Sequence, residues 1–162
     1  MIRQARAEDA GAIAAIWNHI IRDTAATFNA EEKPPSDVAA LIVTRQAAGR
    51  AFLVAEDAGV VLGFATYDQF RGGVGYRHSM EHTVHILPAA QGRGLGRGLM
   101  TALEDHARAA DVHVMMAGVS SENPAGRAFH EALGYQLSGT VPQVGRKFGR
   151  WMDLWLLHKI LT

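Results

Sequence analysis

A mixed α/β fold built around one sheet is the architecture this sequence predicts, and three observations predict it. Apolar residues follow a helical period near the N-terminus, extended β-rich runs fill the middle, and a glycine-rich loop then opens a series of alternating helices and strands. A chain of 162 residues, 48% of them hydrophobic, is long enough to bury a core as a single domain spanning 1–162. After an opening strand, Ile13, Ile16, Trp17, Ile20 and Ile21 recur on one helical face, with Glu8 and Asp9 at the N-terminal end where a helix dipole favours them. Pro34 and Pro35 break the chain, and Ser36 is the expected N-cap of a second helix carrying Val38, Leu41 and Ile42. Ala51–Glu56 and Val60–Phe70 read as a hairpin turning at Asp57-Ala58-Gly59. A loop from Arg71 to Arg77 leads to a strand, Met80–Leu87, which Pro88 ends. Leu95, Leu99 and Leu103 mark the next helix, Val112–Val119 a strand, and Pro124–Leu133 a short helix stopped by Gly134. Extended segments at Leu137–Val141 and Trp151–Leu161 complete the order β-α-α-β-β-β-α-β-α-β-β.

Charge and composition narrow the function classes. Sixteen basic residues balance sixteen acidic ones, so the cationic excess that non-specific nucleic-acid binding rests on is missing. With no cysteine, disulfides, thiolate zinc sites and cysteine nucleophiles are all impossible, a composition compatible with a reducing cytoplasm, the expected location. Residues 1–10 lack the apolar stretch of a secretory signal, and no apolar run approaches the roughly 20 residues of a membrane span. No metal is expected either, because His82 and His85 have no third ligand at a recognisable spacing.

Gly92, Gly94, Gly96 and Gly98 alternate with Arg93, Leu95 and Arg97 between a strand and a helix. Such a loop brings unobstructed backbone N–H groups to the positive end of a helix dipole, a site suited to a pyrophosphate. It lacks the Gly-Lys-Ser/Thr ending of a P-loop, and the dinucleotide pattern G-x-G-x-x-G fails at positions 97 and 99. The register that fits is Gln91-x-x-Gly94-x-Gly96. It resembles the acetyl-CoA loop of the GCN5-related N-acetyltransferase (GNAT) superfamily, and a second element, Asn123 followed by Ala125–Phe129 and His130-Glu-Ala-Leu-Gly134-Tyr135, is similar to the superfamily's downstream motif. His130 stands where many members have Tyr. That substitution, together with Glu81-His-Thr-Val84, Asn18, Thr27-Phe28 and Val144–Asp153, resembles the phosphinothricin and methionine sulfoximine or sulfone acetyltransferases.

The resemblance implies a GNAT-type mixed sheet flanked by helices, with acetyl-CoA as cosubstrate. Its pantetheine arm is expected along Thr83–Ile86, in contact with Val84, His85 and Ile86, and its pyrophosphate on Gln91, Gly92, Arg93, Gly94, Leu95, Gly96 and Arg97. Asn123 and Arg127 are the further cofactor contacts implied, and a backbone N–H near Val84 is the natural oxyanion donor. An amine must lose its proton before it attacks a thioester. At pH 7 that costs about 1.4 kcal/mol for an α-amine and about 4.6 kcal/mol for a lysine, so a small α-amino substrate asks less of the site. Glu81 is the expected base, with His85 as its catalytic partner and the next candidate; by strand alternation Glu81 shares a face with Thr83 and His85, leaving His82 on the other. His130 takes the place of the Tyr usually assigned to the departing thiolate.

For the acceptor, Arg71 and Arg77 offer guanidinium forks for a carboxylate, and Phe28, Phe70 and Tyr76 offer apolar walls. Lys147, Phe148 and Trp151 belong to the segment most typical of the subfamily and are expected to complete the pocket in a homodimer. A peptide N-terminus or lysine as acceptor, a non-catalytic acyl-CoA module and a nucleotide-binding protein are the competing readings.

Overall fold

The computed structural model describes all residues, 1–162, and has every element in the expected order. They are β1 (Ile2–Gln4), α1 (Ala10–Asp23), α2 (Pro35–Ala47), β2 (Phe52–Asp57), β3 (Val60–Gln69), β4 (Ser79–Ile86), α3 (Leu95–Ala109), β5 (Val114–Ser120), α4 (Pro124–Ala132), β6 (Gln136–Lys147) and β7 (Arg150–Ile160). The strands form one sheet in the order β1-β2-β3-β4-β5-β7-β6. Every neighbouring pair is antiparallel except β4 and β5, which run parallel because α3 crosses between them.

Two layers of apolar side chains cover the two faces. On one, α3 buries Leu99, Met100 and Leu103 against Leu53, Ala65, Met115 and Leu157. On the other, α1 and α2 pack Ile13, Ile16, Trp17, Val38 and Ile42 onto Phe52, Val54 and Phe64. Alternation along the central strands supplies both sets, which is why β2 and β3 read as nearly continuous apolar runs.

Two local readings are corrected. Pro34, extended at φ −63° and ψ 147°, occupies the cap position of α2, and Ser36 falls inside its first turn; Pro35 fits there because its fixed φ is already helical and it has no N–H to satisfy. The last hairpin is longer than predicted: β6 runs on to Lys147 because a bulge absorbs Pro142. Pairing steps from Val141↔Leu154 to Gly145↔Met152, Gln143 adopts φ +54°, and its N–H donates to Asp153 Oδ1 at 2.8 Å. Proline is tolerated because β6 is an edge strand.

The feature that makes a site is a split in the sheet. β4 and β5 pair over only three positions, Ser79↔Val114, Met80↔Met115 and Glu81↔Met116. Beyond them β4 continues to Ile86 and β5 to Ser120 without pairing, and a cleft opens between the two strands.

Candidate active site

The cleft is the large cavity of the molecule, about 880 Å³. His82–Ile86 form one wall, Ala117, Gly118 and Val119 the other, and Gln91, Gly92, Gly94, Leu95, Gly96 and Arg97 the outer end. Asn123, Gly126, Phe129 and His130 close it from α4. Trp17, Ile20, Thr24–Thr27, Asn29 and Lys33 close it from α1 and the segment after it.

The glycine loop is arranged as its spacing suggested. Gly92 and Gly94 have φ of +78° and +79°, values that L side chains rarely adopt, and Gly94 is the residue from which α3 starts. No acidic residue stands in the first turn of α3, so its positive end faces the cavity uncompensated. Gly96 has a different role: a Cβ there would lie 3.2 Å from the ring of Phe129, so glycine lets α3 approach α4. Two arginines expected on the cofactor are engaged elsewhere and do not line the cleft. Arg93 pairs with Asp57 of the β2–β3 turn at 2.8 Å, and Arg127 pairs with Glu131 at 2.6 Å while its guanidinium lies 4.8 Å from the Trp155 ring centroid. Asn123 lines the cleft, but its side-chain oxygen accepts from Gly126 N–H at 3.0 Å and so caps α4.

The faces of β4 divide as predicted. His85 packs edge-on against Phe64, 5.7 Å between centroids, beneath α1, while Val84 and Ile86 join the α3 core. Glu81 shares the His85 face and sits just outside the cleft lining, at the last β4–β5 pairing. One of its oxygens lies over Gly118, where a Cβ would come within 2.9 Å of it, so β5 needs glycine opposite the carboxylate. Glu81 has no hydrogen-bond or ion-pair partner, and burial pushes its carboxyl above the usual range. Burial pushes His85 down to about 4, which keeps it neutral at ordinary pH.

Sequence reasoning missed His82. Its Nε2 lies 2.9 Å from His130 Nε2, and His130 Nδ1 lies 2.7 Å from the Gly126 carbonyl. Face alternation put His82 opposite Glu81, but nothing in the sequence shows that a residue 48 positions away is its partner. The expectation that His130 donates a proton to a thiolate is not met by this geometry, since both ring nitrogens are already engaged.

The expected acceptor residues are scattered. Arg71, Tyr76 and Arg77 sit on an exposed loop outside the cleft, with Arg71 over the Tyr76 ring at 5.7 Å and Arg77 Nε donating to His78 Nε2 at 3.0 Å. Phe28 packs against Gly145 of β6, and Phe148 is exposed at the β6–β7 turn. Lys147 is buried, with Nζ donating to the carbonyls of Thr24 and Thr27 at 2.7 and 2.9 Å; it is a strut beneath the 24–29 segment, with its charge turned away from any ligand. In their place the structure brings Lys33 to the cleft. Asn18 holds it there through Lys33 N–H and C=O, and Lys33 Nζ lies 4.7 Å from the Trp17 ring centroid.

A parallel strand pair that parts beside a glycine loop at a helix N-terminus, with an unpaired carboxylate at the fork, is the architecture of an acyl-CoA-dependent transferase. The model of the acetyltransferase (GNAT) family matches residues 13–135, and the chain belongs to that family. Among curated relatives, the L-amino acid N-acyltransferase MnaT of Escherichia coli is 44% identical over 94% of this chain and 89% of its own length. An L-methionine sulfoximine/L-methionine sulfone acetyltransferase of Salmonella typhimurium is 43% identical over 94% and 90%, and a phosphinothricin N-acetyltransferase of Streptomyces coelicolor 35% over 94% and 91%. Among solved structures, the Salmonella typhimurium acetyltransferase yncA, with its cofactor acetyl-CoA, superposes with a TM-score of 0.97 at 41% identity, covering 100% of this chain and 94% of that one. A ribosomal-protein-alanine N-acetyltransferase of Brucella melitensis reaches 0.96 at 39% identity, covering 99% of each chain.

Proposed function

We propose that this enzyme transfers the acetyl group of acetyl-CoA to the α-amino group of a small amino-acid analogue carrying a sulfone, sulfoximine or phosphinate side chain, with Glu81 as general base. The observation that carries the reading is the unpartnered Glu81 carboxylate at the fork of β4 and β5, on the face turned toward α1. Acetyl-CoA is the cosubstrate. The glycine loop holds its pyrophosphate, its arm enters between the parted strands, and the thioester meets the acceptor near the fork. Glu81, directly or through one water, takes the proton of the attacking amine. A backbone N–H near Val84 stabilises the tetrahedral oxyanion, and collapse of that intermediate expels the CoA thiolate.

The relatives' substrates support an amino-acid analogue as acceptor. Lys33 is the cation that the cleft presents on the acceptor side, suited to a carboxylate. The likeness to a ribosomal-protein-alanine N-acetyltransferase supports a second reading, an N-terminal peptide as acceptor. A thiol-release assay with acetyl-CoA decides between them. Methionine sulfone and phosphinothricin are expected to be acetylated; acetylation of an alanine-leading peptide with neither small molecule turned over would transfer the proposal to the peptide reading.

A further inference from the structure

His82 is buried, 7% exposed, and lies on β4 one residue past the last pairing with β5. His130 belongs to α4, on the far side of the split. Their contact at 2.9 Å therefore spans the cleft at its apex, where no backbone pairing holds the walls together.

The proton positions follow from the partners. The Gly126 carbonyl can only accept, so His130 Nδ1 must carry its hydrogen. Neutral His130 then has a lone pair at Nε2, and the facing His82 Nε2 must be the donor. That leaves His82 Nδ1 bare, and this atom is buried without a hydrogen-bond partner, consistent with a lone pair in place of a hydrogen. Burial and the neighbouring His130 and His85 push His82 down to about 3, the Met116 carbonyl standing near the ring but outside hydrogen-bond geometry with Nδ1, and burial also lowers His130. Tyr135 packs on both rings, its hydroxyl donating to buried Glu104, which Lys159 neutralises at 2.6 Å.

We propose that His82 is a positioning residue of the transferase: by donating Nε2–H to His130 Nε2 it ties β4 to α4 across the apex of the cleft and fixes the His130 ring there. The proposal rests on the reading of the cleft as the acyl-transfer site. It also removes His130 as proton donor to the departing thiolate, because the neutral pair has no hydrogen directed into the cavity.

Ring-nitrogen NMR of the ¹⁵N-histidine-labelled wild-type protein tests the tie without reference to activity. The expected pattern is hydrogen on His130 Nδ1 and on His82 Nε2; hydrogen on His130 Nε2 overturns the proposal. In kinetics, His82→Phe keeps the ring volume and loses the donor, whereas the amide of His82→Gln can donate from a similar place. A small displacement of reacting groups costs on the order of 10²-fold, so the Phe variant should lose about 10- to 100-fold in kcat. Its KM for acetyl-CoA and its thermal shift with acetyl-CoA should be nearly unchanged, and the Gln variant should recover most of the loss. Wild-type kcat in His82→Phe overturns the positioning role. A wild-type protein that shows the expected nitrogen pattern yet acetylates no acceptor overturns the transferase reading while the tie stands.

Discussion

Glu81 is a half-buried carboxylate at a fork in a sheet with no hydrogen-bond or ion-pair partner, and its chemistry follows from that isolation. Desolvation disfavours the charged form, so the carboxyl holds its proton to higher pH than an exposed glutamate and becomes a stronger base once ionised. The active, ionised form is lost as pH falls through this raised value. The acid limb of kcat/KM should therefore lie above the ordinary glutamate value of 4.5 and be absent in Glu81→Gln. That variant should lose about 10²- to 10⁴-fold in kcat while retaining the thermal shift given by acetyl-CoA; near wild-type kcat would move the base elsewhere. That Glu81 and His85 share a face was legible in the sequence because strand alternation fixes it. The His82–His130 tie and the inward turn of Lys147 were not, because each depends on a partner more than 40 residues away that no local pattern specifies.

The glycine loop and the 24–29 segment are two elements held by opposite means. Gly94 starts α3 with φ +79° and has open space where a Cβ would stand, so a side chain there is opposed by backbone strain and by the approaching phosphate, with no packing clash in the free protein. Gly94→Val should abolish the acetyl-CoA thermal shift at the cost of a few degrees in the Tm of the free protein; an undiminished shift would remove the loop from the cofactor site. The 24–29 segment has no regular structure of its own and borrows rigidity from Lys147, whose ammonium reaches two of its carbonyls from β6. Lys147→Met keeps most of the stem and removes both bonds. It should raise KM for the acceptor by up to about 30-fold, at about 1 kcal/mol for each of the two lost hydrogen bonds, and leave KM for acetyl-CoA unchanged; equal effects on both would contradict a role confined to the acceptor side. The sequence suggested these two elements unequally. Glycine spacing announces a phosphate loop, whereas Val144–Asp153 gave only a resemblance, and the bulge at Pro142 that carries Lys147 to the loop lies beyond periodicity.

Across the whole molecule, one hairpin is left without cover. β6 is an edge strand of the sheet, and β6, its turn and the start of β7 expose Leu137, Val141, Val144, Phe148 and Trp151, the last 59% accessible. An unpaired edge with so many large apolar side chains is a surface that proteins otherwise blunt or bury, and burial against a second copy would accommodate both. The homodimer expected from the subfamily resemblance would use this face, with Phe148 and Trp151 as the residues free to reach a partner and Lys147 excluded by its internal bonds. Sedimentation should give twice the chain mass of 17.5 kDa. Trp151→Glu, which places a charge at the centre of the patch, should shift the protein toward monomer. If the neighbouring subunit completes the acceptor pocket, that variant should also raise KM for the amino acid, with acetyl-CoA affinity unchanged. The cofactor end of the cleft draws on β4, β5, the glycine loop, α3 and α4 of the same chain, away from this hairpin, and this separates the two effects. A wild-type protein that sediments as a 17.5 kDa monomer and acetylates methionine sulfone at full rate would show that one chain suffices.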